Sequence, residues 1–277
     1  MEPRGVQEPI TFAVIGHNEG EFLANSIGQA AEAARPGDRL WFVDGASTDG
    51  SPELAASLGA EVIDAPLGKG RAIAAALARC ETSHICLIDG DIEYSTSNIP
   101  LSLRHALVEE PADMILADFE WPARRLNHSI RGVYRPLVGA LFPEALERFG
   151  RIPYSGFRML RADLPLGPLP PGFGVETHFN LLCAANGWPT RVIDVGEYGG
   201  PLRRKPRLGY EVGAAIFDVA EAHGRLDSEL RPQWDAWLEV VMQVLATQPP
   251  LADEPGKDYR ERLSAAAARP LPPARRS

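Results

Sequence analysis

Short apolar runs alternate with helix-type segments from residue 10 to residue 88. We predict strands at 10–16, 40–43, 60–64 and 84–88, and helices between them at 21–34, 47–58 and 72–78. Strands that alternate with helices form βαβ units, which place helices on both faces of a mostly parallel sheet. In such sheets, ligands bind at the carboxyl ends of the strands. The pattern therefore predicts an α/β fold with a functional site at that edge.

The fourth apolar run ends in two carboxylates, Asp89 and Asp91, which one glycine separates. Side chains alternate along an extended chain, so both carboxylates point to the same side. Hard oxygen ligands at a strand end suit Mg²⁺ or Mn²⁺ that carries a diphosphate. The alternative is a pair of aspartates that only caps the strand end.

Polar residues also follow the other predicted strands. They are His17, Asn18 and Glu19 after the first strand, Asp44 after the second, and Lys69 before the third helix. Because the carboxyl ends of parallel strands share one edge, we expect these side chains and the two aspartates to line one crevice.

The composition is that of a globular enzyme with one large domain: 277 residues, of which 45% are hydrophobic and 23% charged. The net charge of −9 argues against a broad nucleic-acid surface. The three cysteines lack metal-type spacing, no signal peptide precedes the first strand, and every apolar stretch is too short to span a membrane. These features predict a cytoplasmic protein without a transmembrane segment.

The second half of the chain contains more helix than strand. Predicted helices lie at 133–148, 176–186, 210–223 and 234–246. In the last of these, Trp234, Trp237, Leu238, Val241 and Leu245 form one apolar stripe. Core packing or a homodimer contact would bury this stripe.

Several motifs resemble those of family 2-like glycosyltransferases with the GT-A fold. The segment 42–51 (Phe-Val-Asp-Gly-Ala-Ser-Thr-Asp-Gly-Ser) resembles their nucleotide-recognition segment, and 68–70 and 89–91 stand where that family keeps its lysine loop and metal motif. The segments 135–144 and 170–177 are similar to glucosyl-3-phosphoglycerate synthases in particular.

The resemblance implies a GT-A, Rossmann-like sheet with a helical, acceptor-side C-terminal region. On this basis we expect residues 8–120 to bind a nucleotide sugar and 121–230 to form the acceptor side of the same domain. Residues 231–264 would form a helical extension, and the Ala/Pro/Arg-rich tail 265–277 would be disordered.

The donor residues follow from the same resemblance. Asn18 and Glu19 would lie near the base and ribose, Asp44 would accept a hydrogen bond from the N3–H of uracil, and Lys69 and Gly70 would contact the diphosphate. Each also has an ordinary structural use, because these residue types are common in turns, helix starts and surface loops.

The resemblance makes Asp91 the direct ligand of Mg²⁺ or Mn²⁺, with Asp89 on the ribose or on a metal-bound water. Related synthases often add a histidine ligand, which is absent from the segment 196–201; Glu197 or water would take its place. Asp49 is expected to cap the following helix instead of binding a ligand.

Glu176 opens a predicted helix, where the helix dipole stabilises a carboxylate. By resemblance, Glu176 faces the acceptor and orients or deprotonates the attacking group. The alternative is an ordinary helix-terminal glutamate. Ser155 and Gly156 match a segment whose backbone amides approach the donor sugar. His178 lies on another helix face, where a structural role is expected.

Two further segments give information about the donor diphosphate and the acceptor. A basic run (Arg203, Arg204, Lys205 and Arg207) would lie either near the diphosphate or on a solvated surface. The segment 127–131 lacks the Gly/Arg/Thr element with which phosphoglycerate synthases grip the phosphate of their acceptor. We therefore do not expect 3-phosphoglycerate to be the acceptor.

The resemblance implies a metal-assisted glycosyltransferase that transfers a hexose or N-acetylhexosamine from a UDP-sugar. The acceptor would be a small hydroxyl or amine compound, free or linked to a carrier protein. A glucosyl-3-phosphoglycerate synthase proper, a nucleotidyltransferase and a non-catalytic nucleotide-sugar-binding protein are the alternatives. A nucleotidyltransferase would show a glycine-rich loop with arginine after the first strand, and residues 17–20 differ from that pattern.

Overall fold

The computed structural model describes residues 8–121, 128–201, 203, 205–248 and 256–275. The strands are β1 (Ile10–Gly16), β2 (Arg39–Asp44), β3 (Glu61–Asp64), β4 (His84–Asp89), β5 (Tyr94–Ser95), β6 (Met114–Glu120), β7 (Arg158–Arg161) and β8 (Thr190–Gly199). The α-helices are α1 (Phe22–Ala33), α2 (Ser51–Ser57), α3 (Lys69–Arg79), α4 (Ile99–Glu109), α5 (Arg135–Leu141), α6 (Val175–Ala185), α7 (Leu208–Ala222), α8 (Arg231–Ala246) and α9 (Lys257–Ala267).

The eight strands form one sheet in the order β3-β2-β1-β4-β7-β6-β8-β5. Strands β1 to β4 are mutually parallel, and β6 is parallel to β8. Strand β7 runs antiparallel to both β4 and β6, and β5 runs antiparallel to β8. The predicted α/β class is confirmed.

Each central strand buries both of its faces, which explains its continuous apolar sequence. In β1, Phe12 and Val14 pack into a core with α1 and α4, whereas Ala13 and Ile15 pack into a second core with α3 and the C-terminal helices. The sheet therefore lies between two helical layers.

The predicted helix 133–148 is broken. Residues Ile130–Tyr134 form a π-helical turn, α5 follows, and Pro143–Ala145 form a 3₁₀ turn. Proline disfavours the helical conformation of the residue before it, and Phe142 accordingly has φ −141° and ψ 59°. Other helices also differ from their predicted starts: α2 begins at Ser51, α3 at Lys69, α7 at Leu208 and α8 at Arg231.

The apolar stripe of α8 is buried within the chain. Trp234, Trp237, Leu238 and Val241 are each at most 4% exposed and belong to the same core as α7 and α9. Core packing thus accounts for the stripe. The stripe therefore gives no support to the predicted homodimer.

The predicted disorder of residues 265–277 is wrong for the part that the structure describes. Helix α9 extends to Ala267, and the carbonyl groups of Arg269 and Pro273 accept hydrogen bonds from the indoles of Trp237 (3.3 Å) and Trp234 (3.1 Å). A buried indole N–H needs an acceptor, and the tail supplies it. In the described ranges, no helix is both long and apolar enough to cross a membrane.

Candidate active site

Two turns flank the carboxyl end of β1. The Gly45 N–H donates to the Gly16 carbonyl (2.8 Å), and the Gly90 N–H donates to the Ile15 carbonyl (2.9 Å). These bonds bring the loops after β1, β2 and β4 into one crevice at the sheet edge, as the strand pattern predicts.

Glu19 lies between these turns and is 8% exposed. Its Cγ packs so closely against Gly16 and Gly90 that a Cβ on either would lie 2.8–2.9 Å away, and its Oε1 accepts from the His17 N–H at 3.0 Å. Both glycines are therefore needed for this side chain to cross the ends of β1 and β4.

The carboxylate of Glu19 also binds Arg203, with 2.6 Å between Oε2 and the guanidinium. Burial raises the pKa of Glu19, and the charge of Asp91 acts in the same direction. The His17 N–H and Arg203 oppose this shift without cancelling it. The structure thus joins the loop after β1 to the basic segment after β8, a pair that local sequence patterns do not reveal.

Asn18 connects the loops after β1 and β2. It adopts a left-handed conformation with φ 54°, its N–H donates to Ser47 Oγ (2.9 Å), and its side-chain oxygen accepts from the Thr48 N–H (2.7 Å). The side chain therefore clamps two loops, which agrees with the structural alternative and leaves the base contact a prediction.

Asp44 and Asp49 shape the loop that follows β2. Both carboxylate oxygens of the buried Asp44 lie 3.1 Å from the Ser47 N–H. Asp49 accepts from the Ser51 N–H and from the Gly20 N–H, each at 3.1 Å, at the start of α2. Burial raises the pKa of Asp49, but these hydrogen bonds outweigh burial and hold that pKa below its usual range. The expected capping role of Asp49 fits this geometry.

Lys69 is the centre of the site. Its ammonium nitrogen lies 2.6 Å from Asp89 Oδ1 and 2.5 Å from Glu176 Oε1, and its side chain is only 12% exposed. Burial alone would lower the pKa of Lys69, but the two carboxylates outweigh it and raise that pKa. The lysine is therefore a fixed cation that links the end of β4 to the start of α6.

The glycines beside Lys69 make room for protein backbone. A Cβ on Gly68, which has φ 128°, would lie 2.5 Å from the Pro171 carbonyl oxygen, and one on Gly70 would overlap the Pro170 carbonyl oxygen. The sequence suggested that these glycines admit a phosphate. In the structure they admit the loop that leads into α6, and this approach brings Glu176 to Lys69.

Asp89 and Asp91 lie together at the end of β4, as predicted, but in different surroundings. The Tyr198 hydroxyl donates to Asp91 Oδ1 at 3.2 Å. Burial raises the pKa of Asp91, and the charge of Asp89 raises it further. For Asp89, burial acts in the same direction, but Lys69 outweighs it and holds the pKa below the usual range.

Ser155 and Gly156 form the wall behind Asp89. Ser155 is 2% exposed, and a Cβ on Gly156 would overlap the Asp89 carboxylate. Arg158, which the sequence analysis missed, lies just beyond and is fully buried. An arginine inside the apolar run Phe-Arg-Met-Leu was the sequence signal that could have revealed it.

Glu176 and His178 lie in the first turns of α6. Glu176 is 2% exposed and faces Lys69. The His178 Nε2 lies 2.9 Å from the Leu166 carbonyl oxygen, and burial lowers the pKa of the imidazole. The contact to Leu166 supports the structural role expected for His178.

The basic segment after β8 divides between two partners. Arg203 binds Glu19, and the Lys205 ammonium lies 4.2 Å from the centroid of the Phe173 ring. Arg204 falls outside the described residues. Glu197 is exposed and joins no group of three possible metal ligands in the described part of the chain.

Comparisons with known proteins match the chain to glycosyltransferases. The family model "Glycosyl transferase family 2" matches residues 11–146. Glycosyltransferase AglJ from Haloferax volcanii is 27% identical over 196 residues, which cover 67% of this chain. The match spans 61% of that relative, which is less than two thirds of its length.

Solved structures share the fold. Mannosyl-3-phosphoglycerate synthase from Rubrobacter xylanophilus has a TM-score of 0.69 at 22% identity, covering 80% of this chain and 76% of its own. Glucosyl-3-phosphoglycerate synthase from Mycobacterium tuberculosis, solved with Mn²⁺, UDP-glucose and phosphoglyceric acid, has a TM-score of 0.68 at 22% identity, covering 80% and 82%. The chain therefore has the GT-A-like α/β fold of these structures, and its similarity to family 2 glycosyltransferases covers residues 11–146.

We predict that Gly70→Ala lowers the free energy of unfolding by roughly 1–3 kcal/mol, because its Cβ overlaps the Pro170 carbonyl oxygen. Gly28→Ala is the matched control, since a Cβ there meets no atom within 4 Å and alanine favours the helix. Urea denaturation measures both. Equal stability of the two variants would show that the lysine loop does not need this close approach.

Proposed function

We propose that this protein is a family 2-like glycosyltransferase, which transfers a hexose or N-acetylhexosamine from a UDP-sugar to a hydroxyl or amine of a small acceptor, with a divalent metal ion. The observation that carries this proposal is the Asp89–Lys69–Glu176 contact at the carboxyl edge of the sheet. It joins the motif for the donor diphosphate to the glutamate on the acceptor side.

The residues at the end of β4 fit a divalent metal ion. Burial and the charge of Asp89 both raise the pKa of Asp91, and a bound cation would counteract this rise. Mg²⁺ would need few protein ligands here, since it commonly keeps several waters and binds substrate phosphates together with one or two carboxylates. Asp91 would bind the ion directly, with Asp89 on the ribose or on a bound water. When bound, the ion would act as a Lewis acid on the leaving diphosphate.

In the proposed reaction, the acceptor oxygen or nitrogen bonds to the anomeric carbon while the bond from that carbon to the diphosphate breaks. The electron pair leaves with UDP, and Lys69 stabilises its developing charge. Glu176 orients the acceptor or takes its proton. Glu176 contacts Lys69 at 2.5 Å, and Lys69 is the cation proposed to face the leaving diphosphate, which favours the orienting role for Glu176.

The donor base and ribose would meet the loops after β1 and β2. Asp44 is held by the Ser47 N–H with its carboxylate at the crevice, and Glu19 lies beside Asp91. Asn18 keeps the two loops together, and Ser155 and Gly156 close the wall behind Asp89. These positions support a uridine diphosphate as the nucleotide part.

The acceptor is proposed to differ from 3-phosphoglycerate. His128 is 6% exposed and packs edge-on against Tyr259 of α9, with ring centroids 5.1 Å apart. In the segment that would have to grip a phosphate, His128, Ser129 and Ile130 are buried, whereas Arg131 is exposed. Residue 127 lies outside the described ranges.

An assay of UDP release tests the proposal. The protein is incubated with Mn²⁺, UDP-glucose or UDP-N-acetylglucosamine, and a panel of small hydroxy acids and amines. Asp91→Ala is predicted to abolish UDP release while the protein stays folded, because the metal loses its direct ligand. Asp64→Ala, an exposed aspartate at the end of β3, is the matched control and should keep full activity.

Substantial turnover by Asp91→Ala would contradict the metal assignment. Pyrophosphate release from UTP by the wild-type protein would indicate the alternative nucleotidyltransferase activity. Donor binding without any turnover would indicate a non-catalytic binding protein.

Glu176→Gln is predicted to lower kcat by at least about 100-fold while the UDP affinity stays unchanged, because Lys69 keeps Asp89 as a partner. Glu147→Gln, a surface carboxylate that is 74% exposed, serves as the control. Steady-state kinetics and calorimetry measure the two quantities. A wild-type kcat in Glu176→Gln would remove this residue from the reaction.

A further inference from the structure

Arg158 is a fully buried cation that the proposed reaction does not use. It lies in β7 opposite Leu87 of β4, two residues before Asp89 along that strand. None of the ion pairs between described residues includes it. A buried guanidinium without a paired carboxylate is costly to desolvate, so its presence here requires an explanation.

The guanidinium binds three neutral oxygen acceptors from two segments, and its Nη1 also lies 3.6 Å from Met114 Sδ of β6. It donates to the Ser155 carbonyl oxygen, to Asn180 Oδ1 at 3.2 Å and to the Glu176 carbonyl oxygen at 3.4 Å. Its carbon atom Cζ lies 5.5 Å from the centroid of the Phe179 ring. The planar, forked donor set of arginine can bridge groups in this way, whereas lysine offers one nitrogen.

The two segments that Arg158 bridges lie at opposite ends of the Asp89–Lys69–Glu176 contact. The turn at Ser155 and Gly156 packs against Asp89, and the first turn of α6 presents Glu176 to Lys69. Arg158 therefore lies behind the Asp89–Lys69–Glu176 contact and joins the parts of the backbone that set its two ends.

We propose that Arg158 is a positioning residue for sugar transfer, which holds the Ser155–Gly156 turn and the start of α6 at the separation that the reaction requires. This inference rests on the proposed function of the site. It assigns Arg158 no contact with the substrate, so its removal should slow the reaction more than it weakens nucleotide binding.

The test compares Arg158→Met and Arg158→Lys with the wild-type protein. We expect kcat for UDP release to fall about 100-fold in both, since a displacement of about 1 Å in a reacting geometry costs that much. The dissociation constant of UDP with Mn²⁺ should stay within about threefold of wild type. Arg104→Met is the matched control, because Arg104 is 3% exposed, binds Asp38 and packs on Phe12 at the opposite face of the sheet.

Thermal denaturation of each variant separates positioning from folding. Arg104→Met should be less stable but keep its kcat, whereas Arg158→Lys should stay folded and lose kcat. A folded Arg158→Lys with wild-type kcat would overturn the proposal, as would failure of both Arg158 variants to fold. If the wild-type protein releases no UDP from either donor, the proposed function fails as well. Failure of the Arg158 role alone leaves wild-type turnover intact.

Discussion

The buried ammonium of Lys69, enclosed between the carboxylates of Asp89 and Glu176, is the interaction on which the arrangement of the site depends. Asp89 ends β4, Lys69 begins α3, and Glu176 lies in the first turn of α6. One cation therefore joins three elements that are far apart in the sequence. Removing Lys69 would leave two carboxylates without their cation in a region of low solvent exposure, which is strongly unfavourable. The contact thus fixes the end of β4, the start of α3 and the start of α6 relative to one another.

Backbone packing makes this contact possible. Gly68 and Gly70 let the carbonyl groups of Pro170 and Pro171 approach the lysine loop, and Gly156 lets its turn lie directly on Asp89. Arg158 donates hydrogen bonds both to that turn and to the first turn of α6. In the proposed complex, a metal ion bound to a diphosphate would bring both signs of charge into the crevice, with the cation facing Asp91 and the diphosphate facing Lys69.

Local patterns in the sequence were sufficient for the first half of the fold. Strands β1 to β4 are buried on both faces, and their apolar runs and polar ends are legible residue by residue. The position of Asp89 and Asp91 at the carboxyl end of β4 was predicted from the apolar run that precedes them. Contacts between distant segments were not predictable in this way. The Glu19–Arg203 pair, the acceptors of Arg158 and the order of the C-terminal tail all depend on tertiary packing. The helix predicted at 133–148 is broken before Pro143. Proline is a local signal for this break, which the apolar pattern of the segment concealed.

The most direct test of a UDP-sugar site is a calorimetric titration of the wild-type protein with UDP, GDP and ADP, each with and without Mn²⁺. The account predicts tight binding of UDP that requires Mn²⁺, and much weaker binding of GDP and ADP. Absence of UDP binding, or UDP binding that is equally tight without the metal, would contradict the assignment of the strand-end carboxylates to a metal-bound nucleotide.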